Sequence, residues 1–123
     1  MENTRSNFNS LYRHIIANSL FTEKQISIIS KRVTSQYKAG NISSGAYYRQ
    51  VKQCRLKLMG LLYSIILLRC IGAIDEQTLF TIEKLANHLT VILDLVNSDI
   101  PEGQSTQTVI YVIQQLFKRM CKV

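Results

Sequence analysis

Apolar residues recur three and four positions apart along most of the chain, which is the spacing of amphipathic helices. Only one proline and five glycines interrupt this pattern, so the frequent turns that a sheet protein of 123 residues needs are missing. We therefore predict an all-α fold, a single domain with about five helices in a compact bundle. The predicted helices cover residues 6–18, 23–37, 45–71, 76–97 and 107–121.

Several predicted helix ends carry residues that favour capping. Thr22 and Gln25 have the spacing of a capping box, in which each side chain bonds the backbone N–H of the other residue. A turn at residues 38–44 separates the second helix from the third. Gly72 suits a left-handed end of the third helix, and Asp75 can cap the fourth.

The third helix changes character along its length. Its polar face is basic as far as residue 57, and from residue 58 to residue 68 the helix is apolar nearly all the way round. We expect the first half to face solvent or a ligand and the second half to be buried in the core or in a subunit interface. A membrane span is not expected, because Arg69 interrupts an apolar run shorter than the roughly 20 residues that a bilayer requires. The predicted apolar edge consists of Tyr47, Val51, Cys54, Leu58, Leu62 and Ile65.

The fourth helix carries an apolar seam whose members alternate three and four positions apart, as in a coiled coil. Together with the third helix, this seam exposes more apolar surface than one layer of helices easily covers, which favours a homodimer or another protein partner. The alternative is that the seam lies in the core of a closed bundle. The seam residues are Leu79, Ile82, Ala86, Leu89, Leu93 and Val96.

Basic residues concentrate in the first seventy positions. This part contains eleven Lys and Arg but two acidic residues, a net charge of +9, whereas the remainder has four basic and six acidic residues, a net charge of −2. Phosphate contacts dominate nucleic-acid affinity, so a basic stripe is the footprint of a nucleic-acid-binding surface. The alternative is a set of ordinary solvated helix faces. The distribution favours a basic half over residues 1–70 and a core or dimerisation half over residues 71–123.

Two segments of the basic half share a pattern with a known family. They are Phe21-Thr-Glu-Lys-Gln-Ile-Ser-Ile-Ile-Ser-Lys-Arg32 and Asn41-Ile-Ser-Ser-Gly-Ala-Tyr-Tyr-Arg-Gln-Val-Lys-Gln-Cys-Arg-Leu-Lys-Leu58. The first is similar to the opening of the helix-turn-helix domains of sigma factors and their relatives, and the second resembles the turn and recognition helix of those domains. The resemblance covers residues 21–58 and implies a dimeric DNA-binding regulator of transcription or a chromosome-associated protein, with the second helix positioning the third.

The resemblance also implies which side chains meet nucleic acid, because a recognition helix points its first residues at base edges and its later basic residues at phosphate. The residues near the bases would be Ser43, Ser44, Tyr47, Tyr48, Arg49 and Gln50. Those near the backbone or flanking bases would be Lys52, Gln53, Arg55 and Lys57. The second helix and the turn would add Lys31, Arg32 and Lys38. For Tyr47, which also belongs to the apolar edge, core packing is the favoured interpretation. DNA is favoured over RNA, and a homodimer would present two such helices to half-sites about 34 Å apart.

Other kinds of chemistry find little support in the sequence. Cys54, Cys70 and Cys121 lie far apart without a CxxC pair, and we interpret them as reduced core thiols. No spacing of His, Cys or acidic residues indicates a metal site, and neither a close carboxylate pair nor a glycine-rich phosphate loop indicates catalysis. We therefore expect no enzyme activity, cofactor, metal or small-molecule substrate.

The competing interpretation is a non-catalytic helical adaptor or assembly subunit that binds a protein partner through its apolar helix faces. In that case the basic face would meet an acidic protein. Under both interpretations the expected location is the cytoplasm, because residues 1–10 are polar and lack the apolar core of an export signal.

Overall fold

The computed structural model describes residues 10–34, 44–96 and 104–123, and no strand occurs among these residues. The prediction of an all-α fold is confirmed. The helices, in chain order, are α1 (Ser10–Ala17), α2 (Glu23–Val33), α3 (Ser44–Cys70), α4 (Glu76–Val96) and α5 (Gln104–Met120). The predictions for residues 6–9, 35–37 and 97 lie outside the described residues, and the helix-turn-helix detail stays a prediction.

The two ends of α2 are set by local hydrogen bonds. The Thr22 hydroxyl accepts from the N–H of Gln25 at 3.1 Å, and the Gln25 side-chain oxygen accepts from the N–H of Thr22 at 3.0 Å, which confirms the predicted capping box. At the other end, the N–H of Thr34 donates to the carbonyl of Ser30 at 3.0 Å, and α2 stops at Val33 instead of residue 37. Val33 and Thr34 are consecutive β-branched residues, which favour a helix weakly.

A tight turn joins α3 to α4. Gly72 has a φ of +84°, the left-handed conformation that glycine adopts at low cost. The N–H of Ala73 donates to the carbonyl of Leu68 at 2.9 Å, which is the long hydrogen bond of a Schellman motif. Oδ1 of Asp75 then accepts from both the N–H and the hydroxyl of Thr78, at 2.8 and 2.9 Å. Both predicted end signals, the glycine and the aspartate, are confirmed.

The same aspartate holds the C-terminal end of the chain, since Lys122 Nζ lies 2.9 Å from Oδ2 of Asp75. This hydrogen bond is the main reason why the pKa of Asp75 lies well below its usual range, and the two hydrogen bonds from Thr78 lower the pKa further. Because the pKa of this carboxyl is lower in the folded state, it stabilises the fold fully above its unfolded pKa of about 4. The stabilisation is lost as the pH falls below that value towards the folded pKa.

We expect Asp75→Asn, which keeps a capping side chain, to lower the Tm at pH 7 by at most a few degrees, because an exposed pair contributes little. The difference from the parent chain should shrink steadily below pH 4. Circular dichroism melts at pH 7, 4 and 2 measure this, and an equal difference at all three values would rule out the carboxylate as its source.

The chain divides into two compact units, one of residues 15–64 and the other of residues 1–14 and 65–123. The division falls inside α3, six residues before the boundary at residue 70 that the charge distribution suggests. The prediction of a single domain stays a prediction. In the first unit, α2 packs against the first half of α3 through four buried side chains, which we call the α2–α3 core. They are Ile28, Tyr47, Val51 and Cys54.

The second unit contains α4 and α5. Ile113 is buried on α5, and Val109, Leu116 and Met120 of the predicted apolar face are half-buried. An open, mostly apolar cavity of about 300 Å³ lies beside the end of α5, with Ile82 of α4 in its wall.

The second half of α3 is not buried in the core of the chain, and its burial in a subunit interface stays a prediction. Within residues 58–70, the described side chains are exposed except those of Leu61 and Ile65, which are half-buried. The apolar composition was interpreted as burial, but among the described elements none covers most of this segment. Cys70 and Cys121 are also exposed, because one ends α3 and the other follows the end of α5, so the expectation of three core thiols holds only for Cys54. Among the described residues, no helix combines the length and hydropathy that crossing a membrane requires.

Candidate nucleic-acid interface

The first half of α3 is oriented by the α2–α3 core. Tyr47, Val51 and Cys54 are spaced four and three positions apart, so they lie on one side of the helix and rest on Ile28. At 100° per residue, Arg49, Lys52 and Gln53 then project from the opposite side, and all three are exposed. Because one side of these turns is buried in the core, the polar side of the same turns faces solvent.

The outward face is strongly cationic. α3 contains five basic residues and no acidic residue. Within the described part of the chain, Arg49, Lys52 and Arg55 take part in no ion pair with a carboxylate. We call Tyr48, Arg49, Lys52, Gln53 and Arg55 the basic face; all five are exposed. Gln50 is half-buried at its margin.

An aromatic pair lies beside the basic face. Tyr47 is buried, as expected for a core residue, and its hydroxyl has no hydrogen-bond partner among the described residues. The ring of Tyr48 packs against it in an edge-to-face arrangement, with ring centroids 5.3 Å apart and ring planes at 75°. Edge-to-face packing of this kind is favourable. Tyr48 is itself exposed, so much of its side chain is available for a stacking or phosphate contact.

Lys57 makes a contact within the chain that the sequence did not indicate. Its Nζ donates to the side-chain oxygen of Gln25 at 2.9 Å and lies 5.6 Å from the ring centroid of Phe21. The same oxygen of Gln25 closes the capping box with Thr22. Lys57 thus ties α3 to the first turn of α2, and its contact with nucleic acid stays a prediction. The partner lies 32 positions away in the chain, so spacing within α3 could not have indicated this contact.

Cys54 belongs to the core and not to the interface. Its thiol donates to the carbonyl of Gln25 at 3.8 Å. Burial raises the pKa of the Cys54 thiol, and the charge of Lys57 opposes this in part. The thiol stays protonated at neutral pH, which suits a packing role better than a reactive one. Among the described residues, no three His, Cys, Asp or Glu side chains are grouped so that they could hold a metal ion.

The remaining predicted contacts are more scattered. Lys31 and Arg32 occupy the last turn of α2, where basic side chains also complement the helix dipole. Ser44 is the first residue of α3, and Lys38 and Ser43 lie outside the described residues. Residues 35–43, between α2 and α3, lie outside the described residues, and the helix-turn-helix interpretation stays a prediction.

The predicted seam of α4 is only partly covered. Leu79 and Leu89 are half-buried, whereas Ile82 and Ala86 are exposed. The side chains of Leu93 and Val96 lie outside the described residues. Its role as a dimer or partner interface stays a prediction.

No protein-family model, curated protein or solved structure matches the chain. The functional argument therefore rests on the residues of the interface and their geometry.

Proposed function

We propose that this protein binds nucleic acid, duplex DNA in preference to RNA, through the basic face of α3. The observation that carries the proposal is that Arg49, Lys52 and Arg55 project from consecutive turns of one helix without a carboxylate partner, while the α2–α3 core anchors the other side of that helix. In this role the protein is a dimer in the cytoplasm without catalytic activity. It acts either as a regulator of transcription or as a chromosome-associated protein.

The dimensions of the basic face suit a DNA groove. Arg55 lies six positions after Arg49, a distance of about 9 Å along the helix axis. The major groove, about 12 Å wide, admits one α-helix. The three cations would replace the counterions condensed on the phosphates. The side-chain amide of Gln53, which lies between Lys52 and Arg55 in the sequence, is of the kind that pairs with adenine.

Salt dependence of binding tests this proposal most directly. Fluorescence anisotropy with mixed-sequence duplex DNA should show affinity that falls log-linearly with salt, with a slope of about −2.7 per copy if three cations each neutralise one phosphate. Parallel titrations with duplex RNA and with single-stranded nucleic acid compare the affinity of the protein for each class of nucleic acid. Absence of binding to every nucleic acid, even at low salt, would overturn the proposal.

The exposed apolar half of α3 favours a second candidate, the helical adaptor. In that function the basic face meets an acidic protein, and the apolar residues 58–71 contact the same partner. The salt titration separates the two functions, because an adaptor has no reason to retain DNA with a log-linear salt dependence.

A further inference from the structure

A continuous apolar stripe runs along one side of α3 and is open to solvent. Its members follow one another at intervals of three, four, three and four residues, which is the a and d spacing of a coiled coil. We call them the α3 seam: Leu56, Met59, Tyr63, Ile66 and Cys70. The first four are between 45 % and 71 % exposed, and Cys70 is exposed as well. Large side chains at a helical spacing on an uncovered face indicate a surface that another helix buries.

We propose that the α3 seam pairs with the α3 seam of a second copy of this chain, in parallel and in register. This pairing is a different interface from the predicted seam of α4. Two further exposed leucines flank the stripe, Leu62 before Tyr63 and Leu67 after Ile66. Gly60, which follows Met59, has no neighbouring atom within 4 Å of the position that a Cβ would take, so a second helix can approach closely there.

The size of the apolar surface is sufficient for a dimer. At roughly 200 Å² for each complete side chain of this size, the exposed fractions of the seam and the two flanking leucines amount to about 700 Å² per copy. A specific protein interface typically buries about 800 Å² on each partner. The stripe alone therefore provides most of the area that a stable dimer needs, without help from α4 or α5.

The residues that flank the seam favour a parallel orientation of the two helices. Arg55 and Arg69 each precede a member of the seam and take the g position of the heptad. An antiparallel alignment that pairs the apolar members brings Arg55 close to Arg69 of the second copy, twice per dimer, and like charges at flanking positions are unfavourable. In the parallel alignment, Arg55 faces Gly60 of the second copy and Leu62 faces Leu67 of the second copy. The parallel arrangement avoids this contact between Arg55 and Arg69 and buries more apolar surface, and the cations that it does bring together lie beyond the apolar contact, before Leu56.

The register also relates the seam to the basic face. Continuing the same three-four spacing towards the N-terminus of α3 leads from Leu56 to Lys52 and then to Arg49. Two parallel helices would therefore bring four cations together where the apolar contact ends, and their repulsion would hold the helices apart. This consequence rests on the proposed function: the resulting fork presents two basic faces to one duplex, as continuous basic helices of coiled-coil dimers do. The α2–α3 core lies on another side of the helix and leaves the fork open.

Cys70 provides a direct test of the register, because residues at the same seam position of two parallel helices lie within the Cα separation of about 4.4–6.8 Å that a disulfide tolerates. Mild oxidation of the full chain with copper phenanthroline should give a disulfide-linked dimer on a non-reducing gel. We expect the same dimer from Cys121→Ser and none from Cys70→Ser. Cys54 is buried and should not react. A dimer linked through Cys121, or none at all, contradicts the proposed register.

Sedimentation equilibrium without nucleic acid tests the contact itself. Ile66→Lys should raise the dimer dissociation constant at least tenfold, about the effect of removing an interface hot spot. Ser64→Lys introduces the same charge on the same turn away from the seam, and should leave the constant unchanged. Helicity by circular dichroism confirms that both variants fold. A monomeric parent chain at tens of micromolar, or equal effects of the two lysines, overturns the inference. A dimer that retains no nucleic acid would overturn only the proposed function.

Discussion

Replacing Arg49, Lys52 and Arg55 together by Glu is expected to weaken binding to duplex DNA by at least about a hundredfold at 0.1 M salt, and to abolish the steep salt dependence. Three phosphate contacts are lost and three repulsive charges take their place. The side chains are exposed and lie opposite the α2–α3 core, so helicity and thermal stability should change little. Fluorescence anisotropy titrations over a range of salt concentrations provide the measurement.

A matched triple variant separates the local effect from that of net charge. Lys84, Lys118 and Arg119 are exposed and lie on α4 and α5, outside the basic face. Reversing these three to Glu changes the net charge by the same amount, from +7 to +1. We expect a much smaller loss of affinity from this second variant. Equal losses from the two variants would mean that the total charge governs binding and that α3 has no special role.

Truncating Ile28 to Ala should destabilise the fold by about 2–4 kcal/mol, the usual range for removing a buried branched side chain. Ile28 is 6 % exposed and supplies the contribution of α2 to the α2–α3 core. Val33→Ala on the same helix is the control: this residue is 78 % exposed, and its truncation should alter stability by less than about 0.5 kcal/mol. Urea denaturation followed by circular dichroism gives both values.

Thiol labelling offers a second readout of the same change. In the parent chain, Cys121 should react quickly with a thiol reagent, whereas Cys54 should react slowly because it is buried. Ile28→Ala should speed the reaction of Cys54, since the core that shields this thiol opens more often. If the rate at Cys54 stays unchanged while stability falls, α2 is not what covers this thiol.

The sequence predicted most accurately what depends on neighbouring residues. The capping box of Thr22 and Gln25, the cap at Asp75 and the left-handed Gly72 are each determined within a few positions, and all three are present. The end of α2 was predicted too late, because Tyr37 continues the apolar spacing of Ile29 and Val33.

Features that depend on tertiary contacts were harder to predict. The outward direction of Arg49 and Lys52 followed from the spacing of the apolar edge. The contact of Lys57 with Gln25 did not, because it joins residues 32 positions apart. The same limit explains the exposed second half of α3: an apolar composition indicates that a surface tends to be covered, but it does not show which element covers it.

The contact between Lys57 and Gln25 has a consequence for the approach of a charged partner. The amide oxygen of Gln25 is neutral, so it holds the ammonium group in place without cancelling its charge, as a carboxylate would. Lys57 thus still adds to the positive potential around α3 although its ammonium group is engaged within the chain. Long-range potential raises the rate at which an anionic partner is captured, and this effect weakens steeply with ionic strength. In the proposed complex with nucleic acid, Lys57 would therefore contribute to the speed of association, whereas the residues of the basic face would determine how long the complex lasts.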